Sequence, residues 1–213
     1  MVREAWKLCY APRAPEIQGE ARDTLIALLS QVRGAKEAAI AAQDEDSANA
    51  ALSCESVCLA AIHELGVWIA LREDKAHAAW DHLVDAQRAV ADAVRAHSWG
   101  EVFQDRADHL ADVERTLFPP MVFFSIGFTE SYSECTLCGE EYGTCSHVVG
   151  RAYAGKFCSR RIKSATVEDV SIVDRPANKR CRVYTVAIGD LTRDWLTQRI
   201  CDGNGVPTSQ FGE

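Results

Sequence analysis

The chain has 213 residues, is 47% hydrophobic and 25% charged, and carries a formal net charge of −8. That composition supports one large or two modest globular domains and excludes a low-complexity or fibrous chain. No apolar run approaches the ~20 residues of a membrane span, and the first residues lack the apolar core of a secretory signal, so the expectation is a cytoplasmic protein with no membrane partner.

Residues 1–118 predict helices, with alanine abundant and apolar positions spaced by three or four. One stripe runs Leu25, Leu28, Leu29, Val32, Ala35, Ala39, Ala42, and the polar run Gln43 to Ser47 interrupts it. A second runs Leu52, Cys58, Leu59, Ile62, Leu65, Ile69, and a third Ala76, Ala79, Trp80, Leu83, Val84, Val90, Val94. The fourth is Trp99, Phe103, Leu110, Val113, Leu117, with Ser98 as its expected N-cap and Glu101 as the capping-box partner. Short connectors predict an up-and-down four-helix bundle. Phe118-Pro119-Pro120 ends it, because proline cannot continue a helix.

After the prolines the pattern becomes β-prone. Residues 121–128 predict a strand. Residues 166–174 and 180–188 predict a hairpin around the turn Arg175 to Lys179. Leu191 to Ile200 predicts a short C-terminal helix. The expected fold class is therefore α+β. A helical bundle over 1–118 is followed by a small zinc-binding, β-rich module over 119–213.

The densest chemistry lies between these strands. Cys135 and Cys138 are spaced Cys-x2-Cys and followed by glycine; Cys145, His147 and Cys158 follow. Thiolates and imidazole at this spacing predict a zinc site, and four protein ligands leave no position for a reacting water. The preferred set is Cys135, Cys138, His147 and Cys158; Cys145 in place of His147 or Cys158 is the alternative. The cysteine count is nine, an odd number, which favours reduced thiols and a metal over a disulfide framework.

Other constellations have plainer readings. Cys54 and Cys58 share a helix face and could reach His77 or His82, but cysteines in an alanine-rich helix are usually core. Trp80 fits packing, and Asp44-Glu-Asp46 fits a solvated loop. Residues 1–130 hold 12 Lys and Arg against 21 Asp and Glu, whereas residues 150–200 hold 11 against 5. Arg160, Arg161, Lys163, Lys179, Arg180 and Arg182 thus form a basic stretch, which offers contacts to phosphates of a nucleic acid or to an acidic protein surface. The acidic balance of the whole favours the protein surface. Segregated charge also makes a homo-oligomer an expectation.

Ser125-Ile-Gly-Phe128 and Val170-Ser-Ile-Val-Asp-Arg-Pro-Ala-Asn178 resemble the two signature segments of the tailed-phage prohead (head maturation) protease family. Some phage relatives carry a cysteine-rich insert between them. The resemblance covers about residues 121–183. It implies a serine endopeptidase with Ser125 as nucleophile and Glu168 or Asp169 near the acidic position, and a phage or antiviral-defence setting. The family's catalytic histidine comes from a β-rich segment upstream of the serine, where this chain predicts helices. A serine without a base is not activated. The leading expectation is therefore a non-enzymatic, zinc-stabilised interaction or adaptor protein. The endopeptidase and a nucleic-acid-binding zinc module are the alternatives.

Overall fold

The computed structural model describes residues 2–9 and 15–201. Its elements are helices α1 (Val2–Leu8), α2 (Pro15–Ala41), α3 (Glu45–Arg72), α4 (Ala76–Ala96) and α5 (Gln104–Leu117), with a 3-10 helix over Ser98–Phe103. Seven strands follow: β1 (Phe123–Cys135), β2 (Ala152–Tyr153), β3 (Lys156–Phe157), β4 (Arg160–Val173), β5 (Thr185–Ile188), β6 (Leu191–Asp194) and β7 (Ile200–Cys201). The chain is thus α+β.

Local chemistry sets the helix ends. Asp44 caps α3, its carboxylate accepting from the Ser47 amide at 3.0 Å. Both inter-helix turns close alike. The amide of Asp44 donates to the Ala39 carbonyl and that of Lys75 to the Ala70 carbonyl, with Gln43 and Asp74 left-handed between them (φ 57° and 58°). This is the Schellman arrangement, filled here by residues other than glycine. His97 is the N-cap of the 3-10 segment, accepting from the Trp99 amide, so the expected cap at Ser98 moves back by one residue. Gly100 lets this segment approach α4 closely, because a Cβ there would stand 2.1 Å from the Ala93 carbonyl oxygen.

Contacts divide the chain into two units. One holds residues up to Asp112 with Phe128–Thr166; the other holds Val113–Gly127 with the chain from Val167 onward. The division does not fall at Pro119, and the cysteine-rich segment belongs with the helices.

In the first unit α3 lies against α1, α2 and α4. Leu25, Leu65, Trp80, Leu83 and Leu110 are fully buried. Burial of side chains of this size is worth about 1.5–3 kcal/mol each. By length and composition α3 could cross a bilayer, with a mean hydropathy of 1.5 over its apolar window, although no single run of apolar residues marks it in the sequence. That window is 67% buried in the fold, and the helix carries the buried carboxylates Glu55 and Glu64, so it serves as a core helix. Glu64 is met by Arg106 from α5 at 2.9 Å from Nε, and by His109 at 3.5 Å.

The second unit is built on Phe118, Phe123, Leu196 and Cys201. β5, β6 and β7 form an antiparallel sheet, with Ile188 opposite Leu191 across Gly189-Asp190. Trp195 Nε1 donates to the Pro120 carbonyl at 3.0 Å, and Asp194 caps the following turn through the amide and hydroxyl of Thr197.

Two expectations are overturned here. Residues 166–174 do not pair with 180–188: β4 pairs with β1, and β5 pairs with β6. Long β1 supplies a better ladder partner than the segment after Lys179, where Arg182 makes only an isolated bridge to Phe123. The C-terminal helix over 191–200 is absent as well. Gly189-Asp190 turns the chain back at once, and 191–201 becomes two short strands around a turn.

Candidate metal centre

The end of β1 and two tight turns bring the donors together. After Cys135 the chain turns at once, the Gly139 amide donating to the Cys135 carbonyl at 2.9 Å. The turn points amides at sulfur: the Leu137 N–H lies 3.4 Å from Cys135 Sγ. A bridge between Glu134 and Glu141 and a bond from the Tyr142 amide to the Ser133 carbonyl return the chain towards β1. Gly143 is left-handed (φ 103°), and the chain then reaches Cys145 and His147.

Cys135, Cys138, Cys145 and His147 present donor atoms that all lie within 4.8 Å of one another, and this group can hold a metal ion. Cys158 adjoins it, its Sγ 3.8 Å from Cys135 Sγ; His147 Nδ1 is 3.6 Å from the same sulfur. All five sequence-predicted donors therefore converge. The mutually close four are the alternative set containing Cys145, with Cys158 beside Cys135. Cys135 and Cys158 are each 1% exposed, while Cys138 is exposed.

Electrostatics separates the thiols. The Cys138 and Leu137 amides hold the Cys135 thiol down to about 6. Burial, then the neighbouring Cys135, pushes Cys158 up to about 11. At Cys138 the Glu140 amide favours the thiolate, but partial desolvation of the sulfur and the neighbouring sulfurs of Cys135 and Cys145 outweigh it and raise the value. One thiolate is thus favoured in the metal-free cluster, and a cation is what allows several.

A second layer fixes the first. The Tyr153 ring packs edge-on against His147 at 4.9 Å, and its hydroxyl accepts from the Val148 amide at 3.0 Å. The amides of Cys158 and Gly150 bond the carbonyls of Arg151 and Cys158. β2 and β3 form a minimal hairpin across Ala154-Gly155, both left-handed (φ 44° and 76°).

That hairpin docks on the helices. A Cβ on Gly155 would meet Ile40 and Lys36 at 3.2 Å and Ala48 at 3.4 Å, so those side chains would have to give by a few tenths of an ångström, and the left-handed backbone favours glycine on its own account. The Gly155 amide donates to Asn49 Oδ1 at 2.9 Å. Ala152 packs with Leu52 and Ala96, Phe157 joins them, and the Arg95 guanidinium lies over the Phe157 ring at 5.4 Å.

The other candidates resolve differently. Cys58 is buried and Trp80 fully buried in the helical core. Among the described residues no group of three metal donors joins Cys54 or Cys58 to His77 or His82. His82 Nδ1 lies 3.1 Å from His63 Nδ1, a pairing the helical periodicity did not announce. Buried Glu64 with half-buried Arg106 and His109 forms a polar cluster that was equally silent in the sequence, because its members are remote in the chain. The basic stretch is divided between the units: Arg160, Arg161 and Lys163 lie in the first, Lys179, Arg180 and Arg182 in the second. Arg160 meets Glu130 at 3.2 Å, Lys163 meets Glu134 at 3.0 Å, and Lys179 meets Glu114 at 2.5 Å. Arg182 is 4% exposed, with its guanidinium over Tyr184.

Ser125 lies on β1, half-buried. A Cβ on Gly127 would run into the Asp169 carboxylate, so Gly127 and Asp169 share a ribbon face, and alternation places Ser125 on the same face. Asp169 accepts from the Ser171 hydroxyl at 2.6 Å. The unit that carries Ser125 contains no histidine; all six belong to the other. No protein-family model matches this chain, and neither the curated proteins nor the solved structures hold a match.

Proposed function

We propose that this chain is a non-enzymatic interaction protein in which zinc holds a cysteine-rich loop against a helical body. The observation that carries it is the convergence of Cys135, Cys138, Cys145 and His147, with Cys158 adjoining, on one point of a loop anchored to α2 and α3 through Gly155. The distances suit zinc. A tetrahedral ion with sulfur at ~2.3 Å and nitrogen at ~2.0 Å has a sulfur–sulfur edge of roughly 3.8 Å and a sulfur–nitrogen edge of roughly 3.5 Å. The Cys135–His147 separation, 3.6 Å, lies close to the second, and Cys158, 3.8 Å from Cys135, stands at the first as the alternative thiolate donor. Three or more thiolates favour zinc over harder cations. A shell filled by the protein supplies rigidity rather than an activated water.

The adaptor role rests on what the loop presents. Val148 and Val149 are exposed beside the docked hairpin, and Arg160 and Lys163 are engaged by Glu130 and Glu134 of β1. A protein surface suits such a loop better than a phosphate backbone does. The endopeptidase remains the alternative, and Ser125→Ala tests it: abolition of a measurable peptidase activity would displace the adaptor reading. Metal analysis of protein purified without added metal tests the main reading. One zinc per chain is expected, lost with Cys135→Ser or Cys138→Ser. A chain that holds no metal, and gains none from a zinc buffer, rejects it.

A further inference from the structure

Among the described residues, β4 is a strand of 14 residues hydrogen-bonded to β1 alone, and its first 13 residues are exposed. A two-stranded ribbon is marginal in water, and a long open edge invites another strand. The ribbon also carries an apolar face. Because Gly127 and Asp169 share one side, Phe124, Ile126, Val170 and Ile172 fall on the other by alternation, and all four are exposed.

The charges on β4 select what pairs with it. Its first residues hold Arg160, Arg161 and Lys163, and its later ones Glu168 and Asp169. Against a parallel copy, like charges would face each other. Against an antiparallel copy, the basic first half of each strand lies along the acidic second half of the other, and Arg161 stands directly opposite Asp169 at both ends. Arg160 and Lys163 already meet glutamates of β1, whereas Arg161 makes no ion pair among the described residues. We propose that β4 pairs antiparallel with β4 of a second copy, about a two-fold axis near Ala165. This builds a four-stranded sheet β1-β4-β4-β1 and places Arg161 of each copy beside Asp169 of the other. The interface is isologous, so each favourable pair occurs twice. This goes beyond the metal reading and does not depend on it.

Sedimentation velocity on the full, metal-replete chain over a concentration series tests it. The wild type dimerises. Arg161→Glu and Asp169→Arg each weaken the dimer by about tenfold or more, because each sets like charges face to face twice. An equimolar mixture of the two variants, and the double variant, recover wild-type association. Residues 161 and 169 are roughly 26 Å apart along one strand, so recovery cannot arise within a chain. A wild type that stays monomeric at about 100 μM, or charge reversals without mutual rescue, overturns the proposal. A monomer with full zinc leaves the metal reading standing, and a metal-free dimer does the reverse.

Discussion

Single residues carry two local tensions that substitution can read. Ala154 is left-handed (φ 44°) at the first position of the β2–β3 turn and is exposed. An L-residue with a bare Cβ is strained there, whereas asparagine adopts this conformation readily. Ala154→Asn is expected to stabilise the chain by about 0.5–1 kcal/mol in urea unfolding, with metal content unchanged. The second tension is Glu55 on α3. Burial opposes its ionisation, but Lys36 and Arg33 of α2 outweigh burial and hold its carboxyl below the ordinary range. A depressed folded value means that the ion pair contributes stability above the unfolded value of about 4.3, and that this is lost as pH falls through the folded value. Glu55→Gln is therefore expected to cost about 1–3 kcal/mol at pH 7, and the gap from wild type should begin to narrow as pH drops below the unfolded value of about 4.3. Urea titrations at pH 7, 5 and 3.5 check both the size and the sign.

Elements differ in how openly the sequence declares them. α2, α3 and α4 were legible because their signal is local: apolar residues at helical spacing, then polar turns at Gln43 and Asp74. Strand pairing was not, because β4 finds its partner far back in β1, Ser164 meeting Ser131 across 33 residues, while a nearer segment carried similar residues. The segment 191–200 misled for a related reason. Its apolar spacing fits a helix, but Gly189-Asp190 makes a two-residue hairpin turn, and the turn prevailed. The metal donors were legible because thiolate chemistry constrains local spacing. Their docking was not, since it depends on Gly155 meeting Asn49 across 106 residues. The Schellman turn gives a test at this scale. Gln43 is exposed and left-handed, and Gln43→Gly removes the Cβ conflict while leaving the 6→1 bond in place. A gain of about 0.5–1 kcal/mol is expected from chemical denaturation, and a loss would mean that the Gln43 side chain contributes to the turn.

The molecule as a whole is organised by contacts rather than by the Pro119 boundary, and metal removal separates the two descriptions. If residues 119–213 were one zinc-dependent module, chelation would release β5–β7 together with the cysteine loop. The contacts place the loop with the helices and β5–β7 in the other unit. Without a cation, one thiolate at Cys135 is favoured while Cys138 and Cys158 are raised and hold protons, so nothing ties the sulfurs to one point. The loop is then tied to the helices through the Gly155 amide bond and the Ala152 and Phe157 contacts. Hydrogen exchange after chelation is therefore expected to accelerate at amides of 136–158 by about tenfold or more, while amides of 185–194 keep their protection. Far-UV helical signal should persist at 25 °C, because the cores around Leu65 and Leu83 contain none of the ligands. The thermal midpoint should fall, since a ligand that binds only the folded state stabilises it by mass action. Acid should reproduce the chelator: thiols must lose protons to bind, so affinity falls as pH falls, most steeply below about 6 where Cys135 itself protonates. Equal loss of protection in 136–158 and 185–194 would restore the boundary at Pro119.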